Sequence, residues 1–255
     1  MSRLSTLPRV MVAPNGARRT KADHPALPVT IPETVETAAA CFAAGAGALH
    51  AHVRDADGRH SLDTGLYREL LAEMARAVPD MAVQLTTESA GVYGPAAQRA
   101  VAEELTPDGI SAALREMLAE GETPEALRFY HDLAERDVAV QHILYDPGDA
   151  ERLAAFAPKL PEGPLQVIFV LGRYAELDET APAAIRPFLE ALEGHDLDWA
   201  VCAFGRHETA ALAEALRLRG KARVGFENNL TDPEGRPARD NAERVRAIAA
   251  LPGAA

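Results

Sequence analysis

His50 and His52 stand two residues apart at the end of a short apolar run, Gly47-Ala48-Leu49. In a β-strand, side chains alternate between faces, so a spacing of two puts both imidazoles on the same side. Two neutral imidazoles side by side supply half of a typical catalytic metal site. The segment that follows, Val53-Arg54-Asp55-Ala56-Asp57-Gly58, reads as strand exit and turn. The pair therefore lies where a strand becomes a loop, the place where many α/β folds carry out chemistry. From this spacing alone, a metal pair and a hydrogen-bonded pair of rim histidines both remain open.

Positioning such a pair requires a regular frame, and the chain reads as one. Strand-like runs recur at Arg9–Ala13, Gly47–His52, Met81–Thr86, Gly109–Ala112, Val138–Leu144, Leu165–Val170, Trp199–Ala203 and Ala222–Glu227, with amphipathic stretches between them. Thr30-Ile31-Pro32-Glu33 is a capping box with proline in the first helical turn, opening a helix that runs toward Gly45. Thr123 before Pro124-Glu125 and Asp240 before Asn241-Ala242-Glu243 open two more. Eight such alternations in 255 residues predict an α/β fold, a (β/α)8 TIM barrel, as a single domain over residues 1–255. A doubly wound open sheet is the alternative, but no Gly-x-Gly-x-x-Gly follows the first strand.

On a barrel, the ends of all strands meet at one rim. The last strand closes beside the first, and the first lies beside the second, so strands 2 and 8 are roughly 10 Å apart. Glu227, in Arg223-Val224-Gly225-Phe226-Glu227-Asn228-Asn229, can then join His50 and His52 as a third ligand. Two histidines and one carboxylate leave coordination positions open for substrate, and suit Zn²⁺ or alternatively Mn²⁺, Co²⁺ or Fe²⁺.

Composition narrows the partners. A formal charge of −12 argues against nucleic acid or an anionic membrane as the main partner. The N-terminal Met1-Ser2-Arg3-Leu4-Ser5-Thr6-Leu7-Pro8 lacks the apolar core of a signal peptide, and no apolar run approaches a membrane span. Cys41 and Cys202 lie far apart in apolar segments and match no metal or redox spacing. A cytoplasmic protein with two buried free thiols is expected.

Several segments together resemble the β-keto acid cleavage enzymes, whose founding activity is 3-keto-5-aminohexanoate cleavage in lysine fermentation. They are Met11 through Arg18, Asp23 through Thr30, His50-Ala51-His52-Val53-Arg54-Asp55 through Gly58, Gln84-Leu85-Thr86-Thr87, Trp199 with Gly205-Arg206, and Arg223 through Asn229. The resemblance covers nearly the whole chain. It implies a zinc-bearing barrel, a homo-oligomer (dimer or tetramer), that condenses a β-keto acid with acetyl-CoA to give acetoacetate and a new acyl-CoA without a covalent enzyme intermediate. By the same resemblance His50, His52 and Glu227 are the zinc ligands. Arg223 matches an arginine near the reacting centre, and Thr86 or Thr87 stands near a family serine.

The chain also departs from that pattern. Asn228 stands where an acidic residue acts in proton transfer, and an amide cannot accept a proton at neutral pH. Gln141 stands for a glutamate on the fifth strand, and Arg18 for a glutamate in the first loop. These replacements make the pocket more positive. The expectation is either a more anionic keto acid, or a different base, for which Glu88 just past the third strand is the candidate. Asn228 is accordingly read as orienting substrate or water.

Asn15 and Gly16 are expected to line the site from the end of strand 1, with glycine permitting close backbone approach. Arg54 is expected to bind a carboxylate bidentately or to form a structural salt bridge. Gln141 facing inward would turn His142 toward the helices. His24 is a loop residue over the rim, His207 a helix-start residue, and Arg173 a candidate for CoA phosphates. Two other readings compete. One is an amidohydrolase-type hydrolase, which places its His-x-His on the first strand and needs further lysine, histidine and aspartate ligands. The other is a family paralogue with a different or lost reaction.

Overall fold

The computed structural model describes residues 2–172 and 182–253. Its parallel strands are β1 (Val10–Val12), β2 (Ala48–Ala51), β5 (Ala82–Thr86), β6 (Gly109–Ala113), β7 (Ala139–Leu144), β8 (Leu165–Leu171), β9 (Leu197–Ala203) and β10 (Lys221–Val224). They close into a barrel in the order β1-β10-β9-β8-β7-β6-β5-β2. A two-stranded hairpin of β3 (Val53–Arg54) and β4 (His60–Ser61) lies outside it. The helices that return the chain are α1 (Ile31–Ala43), α2 (Thr64–Ala77), α3 (Pro95–Glu104), the single-turn α4 (Leu114–Met117), α5 (Pro124–Glu135), α6 (Pro147–Phe156), α7 (Ile185–Ala191), α8 (Glu208–Arg217) and α9 (Asn241–Ala249). The predicted (β/α)8 barrel is the observed fold, and β1 lies between β2 and β10 as expected.

Local signals act where the sequence placed them. Thr30 and Glu33 form the reciprocal capping box of α1, and Thr123 and Asp240 cap α5 and α9. The capping side chains accept from the otherwise orphaned first-turn N–H groups. Strand β8 is buried at every position, the continuous apolar run expected of a strand covered on both faces.

Two apolar layers form. The larger one lies between the strands and the helices. The smaller one fills the barrel interior with Met11, Ala48, Ala82, Ala113, Ile143, Ile168, Val170, Ala200, Cys202 and Phe204. Leu4 and Leu7 join this interior layer, tied by Leu4 O accepting from Gln166 Nε2 and Leu7 N donating to Asp198 near the starts of β8 and β9. The N-terminal segment thus closes the end of the barrel opposite the rim. Among the described residues no helix is long and apolar enough to cross a membrane.

Several strand ends differ from expectation, and two of them carry site residues. Strand β2 stops at Ala51, and β10 stops at Val224, so His52 and Glu227 both lie beyond their strands. In each case the backbone leaves the ladder to make other contacts. After β2 the chain turns into the β3–β4 hairpin, and after β10 it turns through Gly225 at φ +150°.

Candidate metal centre and its cavity

His50 is presented by β2 and is 2% exposed. Its Nδ1 donates to Gln84 Oε1 at 2.8 Å. That oxygen faces the histidine because Gln84 Nε2 donates to Gln141 Oε1 at 3.0 Å, and Gln141 Nε2 in turn donates to Val167 O at 3.4 Å. A chain of amides across the barrel interior therefore selects the tautomer of His50 and leaves its Nε2 lone pair pointing into the rim. His142, on the opposite face of β7 from Gln141, packs on Tyr130 of α5 with ring centroids 5.6 Å apart.

His52 reaches the same point from just beyond the strand. Its carbonyl accepts from Asn15 Nδ2, which also donates to Pro28 O. The two imidazole Nε2 atoms lie 3.2 Å apart. Burial is the main force holding both pKa values well below that of free histidine. The Arg223 charge adds to it at His50, and Glu227 only partly offsets it at His52. Both rings are neutral at physiological pH, the form that ligates metal.

Glu227 is set by the turn after β10. Its N–H donates to Ala13 O, Phe226 N–H donates to Asn241 Oδ1, and Asn241 Nδ2 donates to Pro14 O. The first residue of α9 thus pins both the β10 turn and the end of β1. Glu227 Oε2 lies 3.7 Å from His50 Nε2 and 3.5 Å from His52 Nε2, and Oε1 accepts from Arg223 Nη2 at 3.1 Å.

The chemistry of this donor set can be tested against a metal. Ligand atoms bound tetrahedrally at about 2.0–2.1 Å stand roughly 3.4 Å from one another. The three separations here, 3.2, 3.5 and 3.7 Å, bracket that value. Two neutral imidazole nitrogens and a carboxylate oxygen, buried and mutually this close, fit a divalent cation.

A cavity of about 80 Å³ opens beside the three candidate ligands. Thr86, Glu88, Arg223 and Asn228 line it together with His50 and Glu227. Arg223 Nε and Nη1, and both amide atoms of Asn228, are buried without hydrogen-bond partners among the described residues. Glu88 Oε2 is 4.0 Å from His52 Nε2, and its backbone N–H donates to Thr86 Oγ1. Burial, with the Glu227 and Glu116 charges, pushes the Glu88 carboxyl up to about 7 against the pull of Arg18 and Arg223.

Other expected site residues take places behind the wall. Arg54 spends its guanidinium on the carbonyls of Gly58, Asn15, Gly16 and Arg19, binding the hairpin to the loop after β1. Thr87 Oγ1 donates to Ser111 O, and Gln141 sits under His50 in the amide chain. Gly16 lies directly against the Glu227 side chain. Arg18 is exposed in the loop after β1, and His24 is turned onto Ala238 O and the Phe226 ring. His207 stands at the start of α8 without a side-chain cap bond, and Arg173 lies outside the described residues.

Sequence reasoning missed Ile143, Tyr145, Val170 and Phe204, which complete the cavity. It also missed His60, whose ring lies 5.2 Å from that of His52. The apolar four carry no sequence signal that separates them from ordinary barrel core. His60 could have been found only by pairing it with Arg54 across the hairpin.

Comparison with known proteins places this arrangement. Residues 9–254 match the model of the family described as beta-keto acid cleavage enzyme. The chain is 28% identical over 243 residues to a 3-keto-5-aminohexanoate cleavage enzyme of Fusobacterium nucleatum, covering 92% of this chain and 88% of that one. It is 28% identical over 265 residues to a 3-oxoadipate:acetyl-CoA acetyltransferase of Cupriavidus necator, covering 95% and 87%. Among solved structures, apo ObcA superposes with a TM-score of 0.69 at 18% identity over 88% of this chain. This chain spans 61% of the length of that protein, and the likeness carries the barrel fold.

Proposed function

Because this chain belongs to the β-keto acid cleavage enzyme family, we propose that it condenses a β-keto acid with acetyl-CoA to give acetoacetate and a new acyl-CoA. The observation that carries this reading is the convergence of His50, His52 and Glu227 at the edge of a cavity that also holds the unpartnered donors of Arg223 and Asn228. His50, His52 and Glu227 hold a divalent ion, with zinc the best match to the donor set. Bound there, it would supply Lewis-acid polarisation of the keto carbonyl.

The remaining steps belong to side chains of this chain. Arg223 offers two buried N–H edges to the carboxylate of the acid or to oxyanion charge developing beside it. Exchanging the acyl group requires one C–C bond to form and another to break. Glu88 takes a proton from the methylene between the keto and carboxylate groups, in place of the acid that Asn228 replaces. The resulting carbanion attacks the acetyl thioester and expels CoA thiolate. The thiolate attacks the original keto carbonyl, the old C–C bond breaks, and the proton returns to acetoacetate from Glu88. Asn228 orients the thioester or the acid through its amide.

We further propose that the protein works in the reducing cytoplasm, in keeping with the buried free thiols of Cys41 and Cys202, and as a homo-oligomer (dimer or tetramer), as the family resemblance implies. Light scattering tests the assembly.

Acetyl-CoA labelled with ¹³C in its acetyl group tests the reaction. Acetoacetate carrying the label in its acetyl half, together with unlabelled acyl-CoA, is the expected outcome. Unlabelled acetoacetate, or none from any acid with metal bound, would overturn it.

A further inference from the structure

The barrel order places β7 directly across from β1, with β8 beside it. The metal ligands flank β1, so the opposite wall of the cavity comes from β7, β8 and the end of β9. That wall is carbon: Ile143, Val170 and Phe204, each no more than 8% exposed, with the Tyr145 ring beside them. Ile168 and Cys202 belong to the same interior cluster. The charged lining residues, Glu88, Arg223 and Glu227, all belong to the metal side. Arg18 stands exposed in the loop after β1, outside the described lining.

A keto acid held against a divalent ion at His50, His52 and Glu227, with its carboxylate toward Arg223, would send its remaining substituent away from these residues. On this geometry the substituent meets the β7–β9 wall. The cavity is about 80 Å³, and on the same measure one water needs roughly 10–15 Å³, so a substituent of a few carbons fits. An ammonium or a second carboxylate there would lose its hydration against the carbon of Ile143, Val170 and Phe204, while the charged lining residues stand on the metal side.

We propose that the acid taken by this site carries a short, uncharged alkyl group on its keto carbon, as in 3-oxopentanoate or 3-oxohexanoate. Ile143, Val170 and Phe204 select it. The proposal rests on the reading of the site as one for β-keto acids.

The test compares 3-oxopentanoate and 3-oxohexanoate with 3-oxoadipate and 5-amino-3-oxohexanoate on the zinc-loaded protein. Two readouts are taken: kcat/KM for acetoacetate release with acetyl-CoA, and the dissociation constant of each acid by calorimetry without acetyl-CoA. The alkyl acids are expected to lead by about a hundredfold in kcat/KM and to bind more tightly. Equal or better performance by either charged acid would overturn the proposal. If no acid turns over, the reaction reading fails while the binding order still decides the specificity. Absence of binding by both alkyl acids at millimolar concentration overturns the proposal too. Val170→Ala and Phe204→Ala should each shift the preferred chain longer by about one or two carbons. An unchanged chain-length optimum in the folded variants counts against the wall.

Discussion

Gly16 and Glu227 are in contact such that a β-carbon on residue 16 would lie 2.6 Å from Glu227 Cγ. The backbone at Gly16 is also left-handed, at φ +63°. A side chain there is strained on both grounds, and the carboxylate of the candidate metal set occupies the space it would need. Gly16→Ala is therefore expected to push Glu227 off the site while the barrel still folds. Metal affinity should fall at least about tenfold, at a stability loss of about 1–2 kcal/mol from the left-handed alanine. Full metal affinity in a folded Gly16→Ala protein would refute the contact.

The ligand set itself is tested by metal content. Elemental analysis of the purified protein should find about one equivalent of divalent metal per chain, and His50→Ala should hold almost none. Equal metal in both would sink the assignment.

The amide chain beneath His50 yields a graded version of the same measurement. Gln84→Leu removes the acceptor of His50 Nδ1 and should weaken metal binding roughly ten- to a hundredfold, the usual cost of losing such a partner. Gln141→Leu acts one bond further away and should cost less. A larger effect from Gln141 than from Gln84 would reverse the proposed order of support.

The proposed role of Glu88 in proton transfer follows from Asn228 having no proton-accepting group. Glu88→Gln should lower kcat by about a hundredfold or more while leaving keto-acid binding within a few-fold. Asn228→Asp in the Glu88→Gln background should restore part of the loss. Full activity of Glu88→Gln alone would remove Glu88 from the mechanism.

Stability at acid pH should report the capping box of α1. Burial raises the Glu33 carboxyl, but the N–H groups of Thr30 and Val29 and the Lys21 ammonium outweigh it and hold the pKa down at about 2. A carboxyl whose folded pKa lies below its ordinary value of 4.5 stabilises the fold above that pH, and the benefit fades as pH falls toward 2. Glu33 is half exposed, so the contribution is at most about 1 kcal/mol. Glu33→Gln should thus be less stable than the parent near pH 7, with the gap closing below about pH 3. A gap in denaturation midpoint that widens on acidification would contradict the sign.

Much of this protein is legible in the chain because it depends on local periodicity. The capping box at Thr30, the apolar run of β8 and the His-x-His spacing each follow from neighbours a few residues apart. Glu227 as a partner for the histidines is legible too, since barrel closure forces strands at the two ends of the chain together. Less legible are the exact ends of β2 and β10, because the turns after them are set by long-range contacts such as Asn241 to Pro14 and to Phe226.

Tertiary structure alone decided how the polar residues divide between cavity and support. Arg54, Gln141 and Thr87 have the side chains of binding residues, yet distant carbonyl and amide partners hold them behind the wall. Ile143, Val170 and Phe204 have the side chains of core residues, yet they face the cavity. Sequence spacing determined which residues could share a face and therefore that a two-histidine, one-carboxylate set was available. Which groups then border open space depends on how strands far apart in the chain close around the axis, because a side chain's partners are set by neighbours it meets only after closure.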